Sequence, residues 1–253
     1  MARIAALTNG SPHSWIVLNA LVEAFGPVTV LTEDAQSKSL LIRKRMRRLG
    51  VVAVIGQIGF VLLQKLIARR SGRRIAQIIA AANADTEPNH VCTIIPVGSV
   101  NSMACRAALA MVQSDVVVVF GTRIIGRETL AQISVPVINF HSGINPKYRG
   151  QAGGYWALAM GDAQNAGVTA HLVDAGVDTG DVLCQAKFEA TPADNFSTIF
   201  YLQAAAIRPL AVQAVRDALA GSLKPFKPDL PSRQYYHPTL WFYLWTAMTR
   251  GVW

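Results

Sequence analysis

Asp115-Val116-Val117-Val118-Val119-Phe120 and, a little further on, Val135-Pro136-Val137-Ile138-Asn139-Phe140 decide the fold. The first is one continuous β-branched run, and neither shows a polar/apolar alternation. A strand that is apolar at every position has both faces covered, the condition of a parallel sheet lying under helices. The proline of the second run falls at its start, where a missing N–H does least harm. Upstream, residues 3–7 read as a short strand, Asn9-Gly10-Ser11-Pro12 as a turn and residues 14–25 as a helix. That order opens a Rossmann-like α/β unit. Further strands are predicted over 27–31, 91–96, 168–173 and 182–188, and helices over 102–112 and 195–220. The fold class is therefore α/β, a mostly parallel sheet with helices on both faces. Residues 1–220 form the main domain and residues 221–253 a short aromatic-rich tail.

Half of the 253 residues are apolar and 15% are charged, enough for a sizeable core and too few charges for a disordered chain. Cys92, Cys105 and Cys184 form no close pair, which argues against a disulfide framework or a cysteine zinc site and fits a reducing cytoplasm. The N-terminal apolar run breaks at Thr8-Asn9-Gly10, too soon for a secretory segment.

The net charge of +9 is concentrated in one place. Between Ala35 and Ala84 stand eleven Lys or Arg and no Asp or Glu, densest at Arg43-Lys44-Arg45-Met46-Arg47-Arg48 and at Arg69, Arg70, Arg73 and Arg74. The segment 35–84 reads as a helical basic insertion broken near Gly50 and Gly72. Between its clusters, residues 51–63 are apolar apart from Gln57 and two glycines. As a helix they cover about 20 Å, short of a hydrocarbon core of about 30 Å, so no membrane span is expected. Three readings stay open: a buried helix flanked by solvated turns, arginines facing a phosphorylated substrate, and peripheral contact with an anionic membrane surface.

Polar residues gather where strands give way to loops, and in open α/β sheets ligands bind at the carboxyl ends of the strands. Asn139 and His141 straddle one such end, and their two-residue spacing points both to the same side. The loop Ser142-Gly143-Ile144-Asn145-Pro146-Lys147-Tyr148-Arg149-Gly150 follows. Farther on, His171-Leu172-Val173-Asp174-Ala175-Gly176-Val177-Asp178-Thr179-Gly180-Asp181 closes one strand and opens the next. On spacing alone, a histidine at a strand end is more often structural, and an aspartate in such a turn more often accepts backbone N–H bonds.

Taken together, Asn139-Phe140-His141, Pro146-Lys147-Tyr148-Arg149-Gly150 and the pattern from His171 through Asp178 to Gly180 resemble the signature of the folate-dependent formyltransferases. This family includes glycinamide ribonucleotide, methionyl-tRNA and nucleotide-sugar formyltransferases. The resemblance is firm from about residue 115 to 188 and weaker over the first thirty residues. It implies a catalytic set of Asn139, His141 and Asp178, with His171 in support. It implies a donor, 10-formyltetrahydrofolate, held by the segment carrying Gly121, Arg123, Ile124 and Ile125 and by the loop from Asp174 to Gly180. Tyr148 and Arg149 are expected on the acceptor side, as are Asn9, Gly10 and Ser11 of the first turn. The chemistry suits these residue types. Asn139 and a protonated His141 can donate hydrogen bonds to the formyl oxygen as charge develops there, and a preorganised donor is typically worth ~3 kcal/mol. Asp178 can take a proton from the amine, directly or through water, and support His141. No metal is called for.

The chain departs from parts of that family. Asn9-Gly10-Ser11-Pro12-His13 matches the phosphate loop of the ribonucleotide branch only in part. Some thirty residues follow the 195–220 helix, too few for the C-terminal barrel of the tRNA branch, so no nucleic-acid partner is expected. The expected reaction is formyl transfer to a primary amine of a small phosphorylated acceptor, a nucleotide-linked amino sugar or a glycinamide ribonucleotide-like compound. The alternatives are a hydrolase releasing formate and a catalytically silent folate-binding module. The aromatic tail can serve as a homodimer contact or as a lid on the core.

Overall fold

The computed structural model describes residues 2–253. In chain order the elements are β1 (Ile4–Thr8), α1 (Pro12–Phe25), β2 (Val28–Glu33), α2 (Lys38–Leu49), α3 (Val51–Arg70), α4 (Gly72–Ala81), β3 (Thr93–Gly98), α5 (Met103–Val112) and β4 (Val116–Phe120). Then follow α6 (Arg127–Leu130), β5 (Val137–His141), β6 (Arg149–Gly150), α7 (Gly153–Ala159), β7 (Gly167–Leu172), β8 (Val182–Lys187), α8 (Phe196–Leu219), β9 (Gln234–Tyr235) and α9 (Leu240–Arg250). Seven strands form one sheet in the order β3-β2-β1-β4-β5-β7-β8. The first five are parallel, while β7 and β8 are antiparallel to their neighbours.

The unbroken apolar runs are explained by two cores. Ile4 and Ala6 of β1, with Val116, Val118 and Phe120 of β4, face α1 and α8 on one side of the sheet. Ala5 and Leu7, with Val117 and Val119, face α5 on the other. Alternate side chains point to opposite faces, so a strand buried on both sides has no position left for a polar residue. Helix α1 begins two residues earlier than its apolar pattern suggests, because Pro12 fits the first helical turn, where its missing N–H costs nothing. Helix α8 starts with a capping box between Asn195 and Thr198.

The basic segment folds as α2, α3 and α4, with breaks at Gly50 and Ser71. Helix α3 is longer than the apolar run alone implies. It has 20 residues, or roughly 30 Å at about 1.5 Å per residue. Its inner side is fixed to the domain: Phe60 packs on Phe196 and Tyr243, and Gln57 Nε2 donates to the His237 carbonyl at 2.9 Å. The tail is ordered. Strand β9 pairs with β6, and Tyr235 and Tyr243 join Phe60, Tyr148, Tyr155 and Phe196 in a third core.

Candidate active site

Strands β5 and β7 place Asn139 directly opposite His171, with His141 one pleat further on. Asp178 reaches the same spot from the loop between β7 and β8, held in the left-handed region at φ 51°. Aspartate tolerates that conformation, and such strain tends to be retained at functional sites. Asn139 Nδ2 donates to Asp178 Oδ1 at 3.2 Å and to His171 Nε2 at 3.0 Å. His171 Nδ1–H is given to the Leu172 carbonyl at 2.7 Å, which leaves Nε2 free to accept. The opposite amide orientation would set a carbonyl oxygen against a carboxylate. Asn139 therefore orients Asp178 with hydrogens that the sequence reading assigns to the formyl oxygen.

His141 is fixed just as firmly. Its Nε2–H donates to the Tyr148 carbonyl at 2.8 Å, while Nδ1 lies 3.4 Å from Asp178 Oδ2. That separation is an ion-pair contact longer than a tight hydrogen bond. Nδ1 is thus the nitrogen left for chemistry. Gly143 makes the arrangement possible: a Cβ there would stand 2.4 Å from the Tyr148 oxygen and 2.8 Å from His141 Nε2. At Gly180 a Cβ would stand 1.8 Å from the Leu172 oxygen, so only glycine lets the loop fold against β7.

Asp178 Oδ2 also accepts the Gly150 N–H at 2.9 Å. Burial alone would raise the Asp178 pKa. The charge of His141, the contact with His171 and the Gly150 N–H outweigh it and hold the carboxyl down at about 2. A carboxylate of that strength is a poor proton acceptor and a good fixed negative charge.

The three side chains sit in a cleft of about 590 Å³, within the roughly 300–1,000 Å³ usual for small-molecule sites. Gly121, Arg123, Ile124, Ile125 and Asp174 line it. Gly180 is not part of the lining and packs against Leu172. The Arg123 side chain turns to the end of β2, with Nε 2.5 Å from Glu33 Oε2 and Nη2 2.6 Å from the Asp34 carbonyl, so this segment meets the cleft without a free guanidinium.

Four expected acceptor-side positions and the Tyr148 ring are placed elsewhere. Asn9, Gly10 and Ser11 form a turn closed on itself, because Asn9 Oδ1 accepts from Ser11 N and Ser14 Oγ. The wall there is His13, which burial holds down at about 4. Tyr148 is drawn into the third core, its ring stacked on Tyr235 and its hydroxyl donating to Asp162 Oδ2 at 2.7 Å. Arg149 Nη1 donates to the Val177 carbonyl at 2.7 Å and Nε to Ser232 Oγ at 2.9 Å, tying the Asp178 loop to the tail. Tyr148 serves the site through its carbonyl.

The acceptor-side wall comes from α2. Leu41, Lys44, Arg45 and Arg48 share one face of that helix and line the cleft, which sorts the basic cluster into inward and outward halves. Arg45 is half-buried, its pKa lowered by burial, and meets only amide oxygens, Gln151 Oε1 at 3.1 Å and Gln57 Oε1 at 3.4 Å. Arg48 lies over the Tyr236 ring at 5.3 Å. Gln234, Tyr235 and Tyr236 complete the wall from the tail, and no local motif marks them in the sequence. The three-and-four spacing of Leu41, Lys44, Arg45 and Arg48 is a signal that was there to be read. Among the described residues no group of three or more His, Cys, Asp or Glu is placed to hold a metal ion.

Asn139, His141 and Asp178 thus meet at the carboxyl edge of an open α/β sheet, the place where such folds bind their ligands. Residues 50–206 match the family described as formyl transferase, and the chain belongs to that family. A methionyl-tRNA formyltransferase of Acidobacterium capsulatum is 37% identical over 131 residues, covering 51% of this chain and 42% of that protein. One from Koribacter versatilis is 40% identical over 100 residues, covering 39% and 32%. The chain thus spans less than half the length of these relatives. Two solved structures share the fold: a sugar N-formyltransferase from Shewanella sp., with a TM-score of 0.56, 14% identity and 93% and 76% of the two chains covered, and an N-formyltransferase of Helicobacter canadensis in complex with folinic acid and dTDP-3-aminofucose, with a TM-score of 0.55, 16% identity and 93% and 71% covered.

Proposed function

We propose that the chain transfers a formyl group from 10-formyltetrahydrofolate to a primary amine on a nucleotide-linked amino sugar or a similar small phosphorylated acceptor. The observation that carries the acceptor class is Arg45. It is a half-buried guanidinium on the cleft wall, beside Lys44 and Arg48, with no carboxylate partner among the described residues. Desolvating a cation without an anion is costly, so a bound phosphate or diphosphate completes that wall. The Helicobacter canadensis complex, which holds folinic acid and dTDP-3-aminofucose, supports the same class.

The donor suits the opposite wall, where residues 121–125 run without regular strand or helix pairing and face the 174–178 loop. When bound, it supplies an activated formyl carbon. His141 Nδ1 is the group within reach of a reacting oxygen or nitrogen. Protonated, it stabilises the oxygen on which charge develops and gives its Nδ1 proton to the folate nitrogen as that nitrogen's bond to carbon breaks. The neutral imidazole then takes the proton of the amine now bonded to the carbon, which restores the imidazolium. Asp178 stays ionised and stabilises the imidazolium, while Asn139 and the Gly150 N–H hold its two oxygens in place.

The test is donor turnover with a panel of amines that includes nucleotide-linked amino sugars. Arg45→Gln is expected to raise the acceptor KM roughly tenfold or more while leaving the donor KM unchanged. Amine-independent release of formate would replace the transferase with a hydrolase. An unchanged acceptor KM in Arg45→Gln would remove the phosphate assignment.

A further inference from the structure

Helix α3 is apolar on its outer side as well as its inner one, unlike an ordinary surface helix. Its two uncharged polar side chains, Gln57 and Gln64, point into the protein, where Gln57 donates to the His237 carbonyl and Gln64 Oε1 accepts from Ser197 Oγ. The opposite face carries Val52, Ile55, Ile58, Leu62 and Leu66, with Val52 71%, Ile55 61% and Leu62 59% exposed. These positions recur at three- and four-residue spacing, so they form one stripe, roughly 20 Å long from Val52 to Leu66. Helix α9 lies alongside, close enough that a Cβ at Gly56 would strike the Trp241 ring. It repeats the pattern: Tyr243, Thr246 and Ala247 are buried, while Trp241, Leu244, Trp245 and Met248 are exposed. The two stripes make one apolar face, and a patch of this extent on a soluble surface marks an interaction site.

Charge selects the occupant. Exposed cations flank the α3 stripe along the chain, Arg43 and Arg47 on the side of α2 turned from the cleft and Lys65, Arg69 and Arg70 toward the end of α3, and Arg250 lies 5.2 Å from the Trp245 ring. No acidic residue interrupts the segment from Ala35 to Ala84. A second copy docked across a two-fold axis would bring these cations against each other. An anionic lipid surface meets them with opposite charge, takes up the aliphatic stripe and suits tryptophans at its boundary. A hollow of about 540 Å³ lined by Trp156, Tyr236, Trp241 and Trp245, with Arg233 on its wall, notches the same face. The length of α3 also fits a span, but its inner side is bonded and packed into the domain, so the helix lies in the plane of the surface.

We propose that the α3–α9 face docks the protein on anionic phospholipid bilayers as a peripheral, in-plane contact. The test is co-sedimentation of the full chain with phosphatidylcholine vesicles, with and without phosphatidylglycerol. Binding is expected with phosphatidylglycerol and is expected to weaken as salt is raised. Ile55→Glu combined with Leu62→Glu is expected to reduce the partition coefficient roughly tenfold or more, with an unchanged circular dichroism spectrum, since both side chains are exposed. Arg43→Gln with Arg47→Gln is expected to weaken the salt-sensitive part. Absence of binding to either vesicle overturns the proposal, as does equal binding to both. Retention through an alkaline carbonate wash would show a spanning segment instead. A dimer in sedimentation equilibrium that Ile55→Glu and Leu62→Glu dissociate, without vesicle binding, would show that the face takes a second copy.

Discussion

Replacing Asp178 with asparagine probes the site at one pair of atoms. Both carboxylate oxygens are acceptors: Oδ1 takes the Asn139 amide and Oδ2 takes the Gly150 N–H while facing His141 Nδ1. An isosteric amide has only one acceptor, so whichever way it turns, its NH2 meets another donor. Leaving a buried donor unpaired costs about 1–3 kcal/mol. An independent route gives a similar figure. The fall of the carboxyl from 3.8 to about 2 corresponds to about 2.4 kcal/mol, at about 1.36 kcal/mol per tenfold change. Asp178→Asn is therefore expected to lose about 2 kcal/mol, a decrease in Tm of roughly 4–8 °C for a chain of this size. The folded carboxyl is the stronger acid, so its contribution is complete above the ordinary value of 3.8 and disappears as pH falls through about 2. The parent and variant should converge at the acid end of that window. Turnover is expected to drop roughly a hundredfold or more, because His141 faces no charge. Thermal unfolding by circular dichroism across pH and single-turnover formyl transfer measure both effects. A variant with the parent's Tm and turnover within a few-fold of the parent would refute the arrangement.

Gly143→Ala is expected to push the Tyr148 carbonyl away from His141, lowering kcat/KM roughly a hundredfold with a Tm change of only a few degrees. Asp194→Ala removes a nearly inaccessible carboxylate paired with Arg74 at 2.8 Å and also bonded to Thr191 and Thr198. It leaves the Thr191 and Thr198 donors without their acceptor while Arg74 turns to solvent, at a cost of about 1–3 kcal/mol, read as a lower urea midpoint. His13 and His237 are each held down at about 4, His13 by burial and His237 by burial and the charge of Arg45. The unfolded chain binds these protons near pH 6.5 and the folded chain does not. Stability is therefore complete above 6.5 and falls toward pH 4, by about 2 kcal/mol for each imidazole at pH 5, and His237→Phe is expected to remove half of the loss.

The central sheet was legible because Val116–Phe120 and Val137–His141 are buried on both faces, which leaves a mark in every residue. The meeting of Asn139, His141 and Asp178 was legible through the resemblance to a known family; strand spacing alone put only Asn139 and His141 on one side. Tyr148 and Arg149 were harder to read, since sequence gives the order of a loop but not which side chains its core draws in. Strand β9 is two residues long and exists because Arg149–Gly150 lies beside it, a pairing without a local signal. The inward face of α2 carried its spacing, from Leu41 through Lys44 and Arg45 to Arg48, but not the polarity contrast that usually reveals a face. Its contrast is between cations that face a cleft and cations that face solvent, whereas an apolar face is what periodicity detects.

The β6–β9 pairing ties the far end of the chain to the Asp178 carboxylate. The N–H groups of Arg149 and Gln151 go to the carbonyls of Arg233 and Tyr235, and the Gly150 N–H between them goes the other way, to Asp178. Strand geometry makes this alternation obligatory, and slipping the tail by a single residue would remove both flanking bonds that hold Gly150 in this orientation. The tail thus acts as a clamp: whatever grips it from outside sets how firmly the Gly150 peptide hydrogen is presented to Asp178.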